Sequence, residues 1–122
     1  MRIVVAHSHL SSFGGGERTT LELLRRLGAR HDVTLWTGRM RPDTTFPELE
    51  AFPRVELRAA EWLTRRPAAE AVISQTFGSS LLALRHRGVV AYLHTLRSVY
   101  LQGGARPDLV LRRWLDGAAL RR

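Results

Sequence analysis

Five short runs of this sequence are apolar almost throughout, and stretches with helical periodicity lie between them. The runs are RIVVA (2–6), DVTLWT (32–37), VELRA (55–59), EAVISQ (70–75) and VVAYLHT (89–95). A strand with one wet face alternates apolar and polar residues, whereas a strand covered on both faces does not. Strands of the second kind, alternating with helices, make a parallel sheet. The pattern therefore predicts an α/β fold: a Rossmann-like parallel sheet of about five strands with helices on both faces. Residues 1–122 are read as one such domain.

The intervening segments carry helix signals. In GERTTLELLRRLGAR (16–30), Leu21, Leu24 and Leu27 recur at helical spacing and Leu23 widens the stripe. Glu17 in the first turn and Arg25 and Arg26 in the last suit the helix dipole. Gly28 is expected just past the helix end. Residues 38–54 hold three prolines and read as loop, with one helical turn at 48–51. A short helix is expected over 59–66, stopped by Pro67. Another is expected over 78–88, with Ser79 or Ser80 as cap and Gly88 as stop. Residues 96–108 read as loop and 107–122 as a final helix with Pro107 near its start. That helix carries Leu109, Trp114, Leu115 and Leu120 among four arginines. Exposed, such a face would suit a partner or a membrane surface.

Composition removes several classes of function. The chain has no cysteine, which excludes disulfides and thiolate zinc sites. No apolar run approaches the roughly 18 residues of a membrane span, and MRIVVAHSHL lacks the apolar length of a signal peptide. A cytoplasmic protein is expected, with peripheral contact at the inner membrane face as a further location. The net charge is +8, and all 19 basic residues are Arg. A coding bias towards Arg accounts for this blandly. An anionic membrane surface or a phosphate-bearing ligand would account for it functionally. The arginines are scattered and often paired, not gathered into one tract with interleaved aromatics, so a nucleic-acid module is disfavoured. A Walker-type loop needs a lysine after its glycines, and there is none.

In open α/β sheets, ligands bind beyond the carboxyl ends of the strands. Three polar, glycine-bearing segments fall there: HSHLSSFGGGE after the first strand, SQTFGSS after the fourth and HTLRSVY after the fifth. The glycine run is not a dinucleotide fingerprint. Thr19 stands where the third glycine belongs, and strand two closes without a carboxylate for ribose. A looser anion site at a helix N-terminus remains, with Gly14, Gly15 and Gly16 permitting close approach and positive φ. The alternative is a plain connecting turn. His7 and His9 with His94 make a weak metal reading, because alternate strand residues face opposite ways and no carboxylate accompanies them. No metal site is expected. The TFGSSL segment lacks the second glycine of a nucleophile elbow, so Ser79 and Ser80 read as helix caps. Gln75 and Thr76 are placed to touch a ligand, and the three tryptophans read as packing residues.

The segment Phe13–Gly38 resembles the opening βαβ unit of the retaining glycosyltransferases of the GT-B fold, family 4. The elements that carry the resemblance are Gly15-Gly16-Glu17-Arg18, opening the first helix, and His31-Asp32-Val33-Thr34, opening the second strand. A second likeness is YLHTLRSVY (92–100), similar to a family stretch Y-x-H-T-P-x-R-Y. His94, Thr95 and Tyr100 correspond, Arg97 is displaced by one place, and Leu96 stands for the family's proline. The resemblance runs in order over nearly the whole chain.

The resemblance implies two Rossmann-like domains facing a cleft, with the acceptor on the N-terminal side and the nucleotide-sugar on the C-terminal side. By it, Gly14, Gly15, Gly16, Glu17 and Arg18 line the donor diphosphate. His94 faces the transferring sugar as the catalytic-site histidine. His7, His9, Gln75, Thr76, Thr95 and Arg97 line the acceptor side. It implies no cofactor beyond the nucleotide-sugar donor substrate, and it fits a lipid-phosphate acceptor or an anionic membrane to the positive charge. The basic pair and Glu-rich motif that grip the donor are absent from these 122 residues. The expectation is an acceptor-side half, truncated or working with a partner chain, and inactive without a donor-binding domain. Two other readings stay open: a free-standing Rossmann-like nucleotide- or phosphate-binding module, and a basic adaptor on anionic membrane or nucleic acid.

Overall fold

The computed structural model of the protein describes residues 1–76, 78–84 and 86–91. Among the described residues, five parallel strands form one sheet: β1 (Arg2–His7), β2 (Asp32–Thr37), β3 (Arg54–Glu56), β4 (Ala71–Ser74) and β5 (Val89–Ala91). Their order is β3-β2-β1-β4-β5, so the longest strands are central and the three-residue strands are at the edges. This order makes the α/β fold Rossmann-like. The register pairs Arg2 with Asp32 through His7 with Thr37, and Ile3 with Ala71 through Ala6 with Ser74.

Each face of the sheet has its own apolar layer, which explains the absence of alternation along β1. Ile3 and Val5 face α1 (Gly15–Gly28), where they join Leu21, Leu24, Val33, Leu35 and Leu49. Val4 and Ala6 face the other way, into a layer with Trp36, Trp62, Val72, Leu81 and Leu82. That second layer is roofed by α2 (Glu61–Thr64) and a 3-10 helix, Ser79–Leu84. Arg65 lies 5.8 Å above the Trp36 ring. Leu24 is fully buried, and burying one such side chain stabilises by roughly 1.5–3 kcal/mol.

Several local expectations are revised. Gly28 is the last residue of α1 rather than the residue after it. The Leu27 carbonyl accepts from both Arg30 N and His31 N, at 3.0 and 2.8 Å, and the chain leaves through Ala29 in right-handed geometry. No left-handed glycine is needed. The turn expected at 48–51 is a 3-10 helix, Pro47–Ala51. The 59–66 helix contracts to Glu61–Thr64 because Arg65 is already extended. The 78–88 helix is a shorter 3-10 helix, held by bonds described below. Strand 55–59 is Arg54–Glu56, and strand 70–75 is Ala71–Ser74. The rest of strand 89–95 and the final helix lie outside the described residues. Among the described residues, no helix is long and apolar enough to cross a membrane.

Candidate functional site

In this strand order the chain turns from β1 to β2 on one side and later crosses to β4 on the other. The switch point lies between β1 and β4, and the crevice beyond their carboxyl ends is the expected ligand position. Ser8 and Thr76 meet there. Ser8 N donates to Thr76 Oγ1 at 3.0 Å, and Thr76 Oγ1 donates to Ser8 Oγ at 2.9 Å. Ser79 closes the cluster from behind. Its hydroxyl donates to the Thr76 carbonyl at 2.9 Å, accepts from Thr76 N at 3.2 Å and lies 2.7 Å from Ser74 Oγ. Ser74, Gln75 and Ser79 are fully buried. These bonds tie the tight turn that starts the 3-10 helix. Ser79 is the first residue of that helix and not its cap; its amide donates to Thr76 Oγ1 at 3.3 Å, so Thr76 takes the capping role expected of Ser79 or Ser80.

The glycine segment sits beside this cluster, at the N-terminus of α1. Gly14 is the residue before the helix, with φ −76° and ψ 175°. Gly15 and Gly16 are its first two residues, and neither Gly14 nor Gly15 adopts positive φ. The expected left-handed freedom is therefore not what these two provide. They differ from each other in surroundings. A Cβ on Gly14 would stand 2.8 Å from Glu17 Oε2 and 3.2 Å from Ser12 Oγ, so a side chain there would displace the Glu17 carboxylate from its bond with Ser12. A Cβ on Gly15 would meet nothing within 4 Å.

Glu17 is the third residue of α1 and is buried. Its carboxylate turns back beneath Gly14, and Oε1 accepts from Ser12 Oγ at 2.7 Å. A carboxylate in a first turn favours the positive helix end. Here it also fixes the approach to the glycines through Ser12. Thr19 and Thr20 spend their hydroxyls on the carbonyls of Gly15 and Gly16, at 2.9 and 3.0 Å. The first amides of any α-helix lack intrahelical acceptors, so this end can still donate to a ligand. Arg18 is exposed beside it.

His7 is buried at the end of β1 and His9 is exposed, their rings edge to face with centroids 5.5 Å apart. His9 N approaches His7 Nδ1 at 3.4 Å. Among the described residues, no group of three or more His, Asp or Glu could hold a metal ion. The structure thus brings His7, His9, Gly14–Arg18, Gln75 and Thr76 to one edge of the sheet. His94, Thr95 and Arg97 lie outside the described residues.

Three residues at this edge escaped the sequence reading. Gly38 is one. Beyond the β1–β2 ladder, Gly38 N donates to the Ser8 carbonyl at 3.2 Å, and a Cβ at Gly38 would overlap that same oxygen. Thr37 is another: paired with His7 and fully buried, its hydroxyl has no hydrogen-bond partner among the described residues. Ser12 is the third, visible only once Glu17 is seen to turn back. No local pattern announces any of them.

The fold and this edge define a class, the Rossmann-like α/β domains with a polar, glycine-bearing site at the switch point. Comparison narrows it no further: no protein-family model, curated protein or solved structure matches the chain.

Proposed function

We propose that the chain is the acceptor-side N-terminal part of a retaining, nucleotide-sugar-dependent glycosyltransferase, working with a donor-binding domain or partner chain. One observation carries the reading. Gly15 is a glycine that the domain does not itself require, on the first turn of α1, beside the switch-point crevice. A missing side chain there leaves room for something outside the domain to approach the helix amides. A diphosphate held mainly from across a cleft is such a group, since helix ends stabilise developing negative charge. The buried Glu17 speaks against a full phosphate cradle made by this domain alone. Its carboxylate already occupies the position beneath Gly14.

The test has two arms. Calorimetry of the chain with UDP and GDP is expected to show no binding in the micromolar range. Supplying a donor-side half, encoded in frame with the chain or adjacent to it, should give sugar transfer. In that assembly Gly15→Val should remove transfer while the fold is kept. Micromolar nucleotide binding by the chain alone would overturn the reading in favour of a free-standing nucleotide-binding module. Unchanged transfer by the Gly15→Val assembly would remove the role given to the loop.

A further inference from the structure

Two large apolar side chains are exposed among the described residues, Met1 and Phe13, at 64% and 61%. Met1 precedes β1 at the amino edge of the sheet, where its carbonyl accepts from Asp32 N at 3.0 Å. Phe13 follows β1 at the carboxyl edge, directly before Gly14 and Gly15. A lone exposed phenylalanine that turns freely carries no message. This one is held. Its ring stands edge to face with that of Phe46, with centroids 5.3 Å apart and planes at 80°. Phe46 is half-buried and packs against the apolar layer under α1. Its carbonyl accepts from Leu49 N at 3.1 Å, at the start of the 3-10 helix Pro47–Ala51. The backbone of Phe13 is held on both sides as well. Ser12 Oγ donates to Glu17 Oε1 at 2.7 Å, and the Gly14 carbonyl accepts from Arg18 N at 3.1 Å.

An edge-to-face pair engages the face of one ring and the edge of the other. Whichever part Phe13 contributes, at least one of its faces stays open. The chain beyond it adds no bulk, because a Cβ at Gly15 would meet nothing within 4 Å. The exposed residues around it in sequence are polar: Ser11, Ser12 and Arg18. The first amides of α1, which lack intrahelical acceptors, follow directly. The surface is thus one fixed aromatic face in a polar surround. A protein partner needs about 800 Å² on each side with an apolar centre, and a lipid surface needs an apolar stripe. One ring supplies neither. A pyranose fits it. The axial C–H bonds of a pyranose make an apolar face the size of one ring, and their slight positive charge suits the negative face of an aromatic ring. Its hydroxyls project around that face, where they can both donate and accept.

We propose that Phe13 is a stacking platform for the pyranose ring of a neutral carbohydrate, with Phe46 as its brace. Placing that ring on the acceptor rests on the function proposed above; the platform itself does not.

The test uses the full chain, titrated by NMR with methyl β-glucopyranoside, methyl β-galactopyranoside and methyl α-mannopyranoside. At least one glycoside should bind saturably and shift the Phe13 ring and the Gly15 amide. Its own ring C–H protons should move upfield, as protons over an aromatic face do. Phe13→Ala should remove the upfield shifts and weaken binding at least about fivefold. Phe13→Trp keeps an aromatic face and should retain both. Circular dichroism checks the fold of each variant, and the wild-type shifts depend on neither. Uridine and guanosine, titrated alike, separate a base from a sugar. Preferential, Phe13-dependent binding of a nucleoside would overturn the carbohydrate assignment. So would the absence of saturable binding by all of the glycosides, or binding that Phe13→Ala leaves unchanged. If the glycoside binds on Phe13 but no assembly transfers sugar, the glycosyltransferase reading fails and the platform remains. If an assembly transfers sugar and Phe13→Ala leaves the acceptor KM unchanged, the function stands and the platform falls.

Discussion

The two glycines at the start of α1 should respond to alanine with opposite signs. Gly15 has open space around the position of a Cβ, and it already sits in the helix with an exposed surface. Alanine there removes conformational freedom from the unfolded chain and should stabilise by about 0.4–1 kcal/mol. For a 122-residue chain, unfolding entropies of about 2.1 cal/mol/K per residue convert this to a Tm rise of about 2–4 °C. At Gly14 the same gain is available, but the new Cβ stands 2.8 Å from Glu17 Oε2. The carboxylate must move, and the 2.7 Å bond from Ser12 goes with it. Hydrogen bonds to charged groups contribute about 1.5–3 kcal/mol. The net expectation for Gly14→Ala is a loss of about 1–2 kcal/mol. Urea unfolding followed by circular dichroism measures both, with m unchanged. A Gly15→Ala variant destabilised by about 0.5 kcal/mol or more would show that the fold needs that glycine, and the functional reading of its missing side chain would go.

Gly38→Ala drives a methyl group into the Ser8 carbonyl and should break the Gly38 N bond to it. With Gly38 buried, about 2–3 kcal/mol of stability should be lost, read as a lower urea midpoint; a loss under about 0.5 kcal/mol would mean that the two post-strand segments separate freely. Thr37→Val replaces a buried hydroxyl that has no partner among the described residues with a methyl group of similar shape. It should raise stability by about 1 kcal/mol, and a fall in Tm would reveal a partner for that hydroxyl. At the first residues of β1, the Arg2 amide donates to Glu70 Oε2 at 2.6 Å and holds the Glu70 carboxyl below its ordinary value of 4.5. A lowered folded-state pKa adds stability above the unfolded value and loses it as pH falls through the folded one. Glu70→Gln should therefore flatten the decline in Tm below about pH 4.5 and leave its shape above pH 6 unchanged; an unchanged acid limb would discount the bond.

The parts of the fold that a local signal could carry were legible. β1, α1 and β2 lie where the apolar runs and the leucine stripe place them, because each buries its own residues against its immediate neighbours. What was misread depended on partners distant in sequence. Gly28 looked like a helix stop, yet the Leu27 carbonyl closes the helix by accepting two amides. Residues 78–88 looked like an α-helix, but Ser79 binds back to Thr76 and tightens the turn into 3-10 geometry. The glycine run was visible as a site, while the division of labour inside it was not. Gly14 is set by the Glu17 and Ser12 side chains, and Gly15 by nothing in the domain. No local pattern marks Gly38, because its reason is the Ser8 carbonyl, which only the pairing of β1 with β2 brings near.

Ser8 is where the scaffold of the site converges. Its carbonyl accepts from Gly38, its amide donates to Thr76, and its hydroxyl accepts from Thr76 in return. The segment after β1 is thereby bound on one side to the segment after β2 and on the other to the turn after β4. The loop expected to connect strand to helix loosely is fixed at its base by backbone contacts, and fixed again at its far end by Ser12 and Glu17. Two consequences follow for a ligand. The amides at the start of α1 and the exposed His9 are carried by one pinned segment, so their separation is set before anything binds. Little ordering entropy then opposes binding at either place. The cost falls instead on Glu17, whose carboxylate would have to share the helix end with any phosphate brought to Gly15, and that repulsion favours an anion held chiefly from outside the domain.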